Sequence, residues 1–236
     1  MVETLSRAAC WREHPFLAAA VRASQSSWNP SAPHNQPMWE GEEEGAALFW
    51  EGFHDPDLPD APLPKFAGEL VLRLPASSAE ARAAALPGAL ARVLEAVDQT
   101  GLTFVQVGRI APWTSRRRRP EELAESSRRL RALGAGKGFN GALRADLASL
   151  GEVLEPLFWM ERMDAGYGDV LFAPPSAPFT GALCQYGNLH LHVYAETDDL
   201  LRSLRHAADA AGFEELEDFS SCGDGEAIEG REIRID

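Results

Sequence analysis

The stretch AGELVLRL, residues 67–74, decides how the chain divides into elements, because its leucines recur at every second position. Leu70, Leu72 and Leu74 share one face of an extended segment, and Val71 and Arg73 occupy the other. This alternation predicts a strand with one buried face.

A helix is predicted directly after this strand. Ser77 or Ser78 is a suitable N-terminal cap, and Glu80 falls in the first turn, where an acidic side chain is favourable. Gly101 is expected to end the segment, and residues 102–110 are predicted to form a second strand. The main domain therefore begins with a strand–helix–strand unit.

A similar unit is predicted near the C-terminus. A hairpin is expected over residues 183–195, with Gly187 and Asn188 as its two-residue turn. An amphipathic helix follows and stops at Gly212, and residues 213–219 are expected to return as a strand. Two such units are typical of an α+β, ferredoxin-like antiparallel sheet.

Residues 111–181 are predicted to form a mainly helical insertion between the two units. Pro120 and Gly134 mark the start and end of its first helix. Further helices are expected over residues 140–150 and 152–163.

The first 65 residues have a different composition. The many prolines in the second half of this segment preclude a long regular element, although residues 45–53 fit a short helix or strand. Its aromatic residues indicate attachment to a core or to a partner. We therefore predict a loop-rich, aromatic N-terminal arm over residues 1–65, packed on an α+β domain over residues 66–236.

Charge is distributed unevenly along the chain. Residues 1–65 carry a net charge of −6, residues 66–150 carry +5 and residues 151–236 carry −13, which gives −14 in total. A basic middle between acidic ends predicts that the termini partly neutralise the centre. The remaining acidic surplus argues against nucleic acid or an anionic membrane as partner, because both attract basic surfaces.

The cysteines and the hydropathy pattern bear on the compartment. Cys10, Cys184 and Cys222 are widely spaced and form no CxxC pair, so reduced thiols are expected. No stretch approaches the roughly 20 apolar residues of a spanning helix, and no apolar leader is recognised. These features predict a cytoplasmic protein.

His190 and His192 are the candidate metal ligands. Alternation along residues 189–196 places both on one strand face, about 6–7 Å apart, which is close enough to share one zinc ion. Glu196 or Asp224 would then act as a base. The alternative is a polar sheet face without chemistry, which alternation alone explains.

The cysteines are not expected to join these histidines. With the predicted two-residue turn, Cys184 faces Leu191 and points into the core. Cys222 lies in a polar stretch, where exposure is expected and no neighbouring cation activates the thiol.

Two basic features have alternative interpretations. The glycine-rich segment around Lys137 lacks the spacing of a phosphate-binding loop and is read as a helix stop followed by a linker. The run Arg116 to Arg119 is either a patch for an anion or nucleic acid, or else an ion-pair partner for the acidic ends or a solvated loop. The net charge favours the second interpretation.

Acidic runs are usually solvated faces. Those near aromatic side chains are also the candidate partner-binding set, because aromatic anchors ringed by charges are typical of protein interfaces. This set comprises Trp39, Glu42, Glu43, Glu44, Trp50, Glu214, Glu215 and Asp218.

The sequence carries none of the common catalytic or cofactor motifs, so no cofactor is expected. The leading hypothesis is a non-enzymatic acidic protein that binds a basic partner, such as an immunity protein neutralising a toxin or nuclease. The alternative is a metal-dependent hydrolase that uses zinc on His190 and His192. A ligand-binding or scaffold domain is a third possibility.

Overall fold

The computed structural model describes residues 1–115, 117, 120–224, 226–229 and 232–235. In this part of the chain, seven α-helices pack on one antiparallel sheet of eight strands. The strands are β1 (Val2–Leu5), β2 (Phe66–Arg73), β3 (Gly101–Gln106), β4 (Ala142–Asp146), β5 (Val170–Ala173), β6 (Phe179–Leu183), β7 (Leu189–Tyr194) and β8 (Glu214–Leu216). The helices are α1 (Arg7–Glu13), α2 (Pro15–Ser27), α3 (Glu43–Phe53), α4 (Ala79–Ala96), α5 (Glu121–Ala132), α6 (Leu150–Met163) and α7 (Asp199–Ala210).

Across the sheet the strands lie in the order β1-β4-β3-β5-β6-β7-β2-β8. Short 3-10 helices occur at Gln36–Trp39, Leu147–Ser149 and Phe219–Gly223. A separate ribbon follows, formed by β9 (Glu226–Glu229) and β10 (Glu232–Ile235).

The central strands are buried on both faces. On β3 and β5, Phe104 and Phe172 pack in the larger core beneath α4 to α7, whereas Val105 and Ala173 face a smaller core beneath α1 and α2. Helices therefore cover both faces of this part of the sheet, as expected where successive side chains point to opposite sides.

The first strand–helix–strand unit is confirmed as β2, α4 and β3. The side chain of Ser78 caps α4 by accepting a hydrogen bond from the backbone N–H of Ala81, 3.1 Å away. The pair Pro87-Gly88 favours a break or kink, but Pro87 lies inside α4 and the helix continues through it.

The mixed α and β class is confirmed, but the ferredoxin-like arrangement is not. The two strands of the first unit, β2 and β3, are separated in the sheet by β7, β6 and β5. The connection through α4 therefore crosses three strands, which local sequence patterns do not reveal.

The prediction of a helix over residues 140–150 is wrong. Residues 142–146 form β4, which pairs with β1 on one side and β3 on the other. Ala142 and Leu143 are both fully buried, on opposite faces of the sheet. Pairing along both edges overrides the helix-favouring composition of this segment.

The insertion is consequently less helical than expected. It contains α5 and α6, and it also supplies β4, β5 and most of β6. Because β5 is largely buried on both faces, it lacks the alternation that would mark it as a strand.

The N-terminal segment contains more regular structure than the loop-rich arm that the sequence predicts. Residues 2–5 form the edge strand β1, and Pro15 occupies the first turn of α2, where its missing N–H costs nothing. The short element expected over residues 45–53 is the helix α3.

Ion pairs between distant parts of the chain confirm that the acidic ends partly neutralise the basic middle. Arginines of residues 66–150 pair with acids of both terminal blocks. These pairs are Arg73–Glu214, Arg82–Glu226, Arg117–Asp164, Arg129–Glu155, Arg144–Glu3 and Arg144–Glu13.

A buried ion pair fixes the N-terminal segment to the sheet. Arg7 Nε donates to Asp55 Oδ2 at 2.6 Å, and both side chains are more than nine-tenths buried. Arg7 also donates to the backbone oxygens of Gln106 and Val107, and Trp11 Nε1 donates to the same Asp55 oxygen. The Arg7–Asp55 pair therefore joins α1, the segment after α3 and the end of β3.

We expect Asp55→Ala to lower the free energy of unfolding by about 3–5 kcal/mol, because it leaves the buried Arg7 cation without its counter-charge. The matched control is Asp60→Ala, since Asp60 pairs with Arg22 but its side chain is 99% exposed. Little change is expected there because water screens the pair. Urea unfolding of both variants measures the difference, and equal losses would contradict the assigned role of Asp55.

Candidate functional site

The strand that carries the candidate histidines has the predicted alternation. Leu189, Leu191 and Val193 of β7 are fully buried in the larger core. His190 and His192 lie on the opposite face, where His190 is 8% exposed and His192 is partly exposed.

A carboxylate that the sequence did not single out lies between the two histidines. Glu69 of β2 is opposite His192 in the register. Its Oε1 lies 3.1 Å from His190 Nδ1 and 3.3 Å from His192 Nε2. One ring nitrogen of each histidine is thus directed at the same oxygen. Neither Glu196 nor Asp224, the proposed bases, is buried with them, since both are exposed.

The predicted two-residue turn is wrong, because the strands on either side of it pair in a different register. Leu183 pairs with Leu189, and Ala182 pairs with His190. The turn spans residues 184–187: Gly187 N donates to Cys184 O, and Cys184 N donates to Asn188 O. Gly187 has φ +75°, the left-handed conformation that this longer turn requires and that glycine adopts without strain.

The longer turn reverses the direction expected for Cys184. Because Cys184 follows Ala182 by two residues, it shares the sheet face of Ala182 and His190. The expectation that it points away from the histidines is therefore wrong. Cys222 was expected to be exposed, but it is fully buried within the 3-10 helix Phe219–Gly223.

Both thiols converge on His190. Cys222 Sγ lies 3.3 Å from His190 Nε2. The ligand atoms of Cys184, His190 and Cys222 all lie within 4.8 Å of one another. Burial raises the pKa of the Cys184 thiol to about 12, and the neighbouring Cys222 acts in the same direction.

The segment that carries Cys222 is held over the hairpin by several contacts. Asp218 caps its 3-10 helix by accepting from the backbone N–H of Ser220 at 2.8 Å. Asn188 Nδ2 donates to Cys222 O, and the ring of Phe219 lies 5.3 Å from that of His190. The Cys222 sulfur is therefore closed off from solvent, and a substrate cannot reach it in this conformation.

Two buried arginines lie beside the same turn. Arg82 of α4 and Arg162 of α6 both donate to the backbone oxygen of Tyr186, at 2.9 and 2.7 Å. Each also pairs with one oxygen of Glu226, at 2.5 and 3.0 Å. The side chains of all three charged residues are no more than 3% exposed.

A second candidate surface lies on the N-terminal arm, where an aromatic cluster packs outside both cores. Trp39 contacts Phe49 with ring centroids 5.3 Å apart, Phe49 stacks on Phe53 at 5.0 Å, and Trp50 stacks on His54 at 4.8 Å. Neither hydrophobic core of the described chain includes any of these residues.

The end of α3 is fixed to the rest of the molecule through its backbone. Arg109 N donates to Phe53 O, and Arg109 Nη2 donates to Glu51 O. Gln25 Nε2 adds a further bond to Phe53 O. The start of α3 carries Glu43 and Glu44, and both are exposed.

A cavity of about 830 Å³ opens between the start of α3 and the proline-rich loop before it. Trp39, Trp50, Glu40 and Glu43 line it together with prolines from the loop. No Lys or Arg occurs between Arg22 and Lys65. Among the described residues, none forms an ion pair with the carboxylates of Glu40, Glu42, Glu43, Glu44 or Glu51. We call Trp39, Trp50, Glu40, Glu42, Glu43 and Glu44 the arm face.

The second acidic group of the candidate partner-binding set is engaged within the molecule. Glu214 pairs with Arg73 at 3.2 Å, and Glu215 pairs with Arg205 at 2.6 Å. Asp218 caps the 3-10 helix that carries Cys222. The structure thus gives these acids internal partners, in contrast to the acids of the arm face.

Basic residues from the arginine run, from α5 and from the glycine-rich segment line another cavity, of about 860 Å³. Arg117, Arg128, Arg131 and Lys137 line it together with Trp113. Arg117 lies 3.6 Å from Asp164, and Arg128 pairs with a glutamate on its own helix. The other three arginines of the Arg116 to Arg119 run lie outside the described residues.

The sequence reasoning missed Glu69, Cys184 and Cys222. The segment CQYGN, residues 184–188, carries the signal that would have placed Cys184, because glycine at the fourth position of a turn favours the longer, bulged hairpin loop. Glu69 alternates with the leucines of β2 and could have been assigned to the polar face. Nothing local places Cys222, which is separated from His190 by α7 and β8.

Comparisons of this chain with protein-family models, with curated proteins and with solved structures each find no match. In the described part of the chain, no helix combines the length and apolar character needed to cross a membrane.

We expect none of the three thiols to react quickly with the aromatic disulfide reagent DTNB at pH 8 in the folded protein. Cys10 and Cys222 are fully buried, and burial raises the pKa of Cys10 to about 12, as it does for Cys184, so the reactive thiolate is scarce. All three should react after unfolding in guanidinium chloride.

Cys10→Ala is the control, because it should lower only the count in the unfolded protein. A single fast thiol in the folded protein, mapped to Cys222 by mass spectrometry, would contradict the closed site. It would make Cys222 and His190 an accessible thiol–imidazole pair.

Proposed function

We propose that this chain is a non-enzymatic binding protein that captures a basic polypeptide on its arm face. The observation that carries the proposal is the cavity lined by Trp39 and Trp50 beside acids that have no internal counter-charge among the described residues. Acids elsewhere in the molecule, such as Glu214 and Glu215, are already paired.

The arm face combines the two kinds of group that protein recognition uses. Its indoles offer large apolar contact areas that lose little conformational entropy on binding. Its carboxylates provide a negative potential that speeds the approach of a positively charged partner. Met38 and Leu48, 63% and 64% exposed, add apolar surface on the same segment.

The charge argues for a basic polypeptide as the partner. With a formal net charge of −14 and no cation between residues 23 and 64, this surface repels phosphate backbones and anionic lipids. Arginine and lysine side chains of a protein can pair with its glutamates and also contact the indole faces.

We further propose that the protein acts as an inhibitor, of the kind that neutralises a basic toxin or nuclease in the cytoplasm. A negatively charged surface can occupy a site that evolved for an anionic substrate, and the association is then fast and sensitive to salt.

The alternative of a hydrolase with zinc on His190 and His192 has weaker support. Glu69 accepts from one nitrogen of each ring, so the two histidines share a carboxylate oxygen. The other nitrogen of His190 faces a fully buried sulfur, which leaves no room for a substrate there.

Native mass spectrometry of the protein, purified at low ionic strength from its own host, tests the binding function. We expect a stoichiometric extra mass that corresponds to a polypeptide of positive net charge. Trp39→Ala with Trp50→Ala should abolish this mass, because these changes remove the apolar anchors. Circular dichroism of the double variant checks that it remains folded.

Charge variants separate the arm face from the other acidic group. Glu42→Gln, Glu43→Gln and Glu44→Gln together should lower the association rate by about tenfold at low salt and flatten its salt dependence. The matched control combines Glu214→Gln, Glu215→Gln and Asp218→Asn, which should leave the rate unchanged. The proposal fails if no polypeptide is retained at low salt, or if only the control variant loses it.

A further inference from the structure

We propose that Cys184, His190 and Cys222 bind one zinc ion, which joins the β6–β7 turn to the C-terminal segment. The proposal rests on the geometry of the three side chains and is independent of the binding function of the arm face.

The distances match those of a metal site. Tetrahedral zinc with Zn–S near 2.3 Å and Zn–N near 2.0 Å places neighbouring ligand atoms about 3.3–3.8 Å apart. Cys222 Sγ and His190 Nε2 are 3.3 Å apart, and all three ligand atoms lie within 4.8 Å of one another. Small side-chain adjustments would bring them onto one ion.

The histidine is oriented as a metal ligand is. Its Nε2 faces the sulfur of Cys222, while its Nδ1 lies 3.1 Å from Glu69 Oε1. Metal-binding imidazoles commonly donate their second N–H to a carboxylate, which fixes the ring and the tautomer. Glu69 is therefore a positioning residue for His190.

The backbone around both cysteines is held in place before any ion binds. Cys184 begins the tight turn closed by Gly187, and Asn188 Nδ2 donates to Cys222 O at 3.2 Å. Asn188 is fully buried. This bond joins the two ligand-bearing segments directly, so little chain entropy remains to be lost on coordination.

The donor set selects the kind of metal. Two thiolates and one imidazole favour zinc over magnesium or calcium, which prefer oxygen ligands. Each thiol releases its proton to solvent when it coordinates, so two thiolates neutralise the charge of the ion. Among the described residues, no fourth His, Cys, Asp or Glu joins the group.

His192 is not part of this site. Its Nε2 faces Glu69 rather than a thiol, and its side chain is 45% exposed. Zinc is thus inferred for a different ligand set from the pair of histidines that alternation suggests. Because the site is buried, we assign it a structural role in holding residues 219–223 against the sheet.

Metal content of protein produced in zinc-supplemented medium tests the inference. We expect about one zinc per chain by elemental mass spectrometry, falling to below ~0.1 for Cys184→Ser, Cys222→Ser and His190→Ala. Cys10→Ala and His192→Ala are the matched controls and should keep the full content, because neither residue belongs to the ligand set.

Cobalt gives a readout that does not depend on the variants folding. The wild-type protein, stripped with a chelator and titrated with Co²⁺, should show thiolate-to-cobalt charge-transfer absorption and the visible bands of a tetrahedral ion, saturating at one equivalent. Zinc should then displace the cobalt and abolish both features.

Several results would overturn the proposal. One is wild-type protein that contains no zinc and gives no cobalt spectrum. Another is an intact mass lower by two hydrogens with a Cys184–Cys222 disulfide in place of metal. A third is metal lost in His192→Ala but retained in Cys184→Ser, which would return the site to the two histidines.

Discussion

Two buried guanidinium groups impose the constraint on which the C-terminal half of the molecule depends. Arg82 and Arg162 have almost no exposed surface, and both point at the backbone oxygen of Tyr186 and at Glu226. Charges in such a position are costly unless they are paired and hydrogen-bonded. These contacts therefore hold the turn at residues 184–187 and the start of β9 against α4 and α6. Residues 219–223 lie between these two fixed points along the chain, so Cys222 is held near Cys184 and His190.

Elements marked by their own sequence pattern could be predicted, whereas elements that depend on contacts with distant residues could not. Alternating leucines made β2 and β7 recognisable, since each has one polar face, and capping residues marked α4. By contrast, β1 and β4 were missed because short strands owe their stability to pairing with neighbours rather than to their own composition. The order of the strands could not be predicted either, because it also depends on pairing between distant segments. The α4 connection passes over three strands that come later in the chain.

At the candidate metal site, the register of the β6–β7 hairpin decides whether Cys184 lies beside His190. A two-residue turn at Gly187 and Asn188 sends Cys184 into the core, whereas the observed turn ending at Gly187 sends it to the face of His190. The residue opposite Leu189 is Leu183 rather than Tyr186. Because side chains alternate along a strand, a register shift by an odd number of residues exchanges the faces. Cys222 was beyond prediction for another reason: its position depends on how Asp218, Asn188 and Phe219 fix the segment after β8. The histidines were identified from sequence, but their chemical surroundings were not.

The molecule separates its acidic residues into two groups, and this separation argues for a role of the arm face. Acids in the sheet and the C-terminal segment neutralise arginines of the basic middle, as Glu214, Glu226 and Glu3 do. The acids from Glu40 to Glu44 neutralise nothing in the described chain, and they lie beside indoles that neither core uses. The clustered like charges repel one another, so these acids do not stabilise the fold, whereas the indoles pack in part against Phe49 and His54. A cationic partner of the kind proposed above would supply these counter-charges and cover the part of the indoles that the arm leaves exposed.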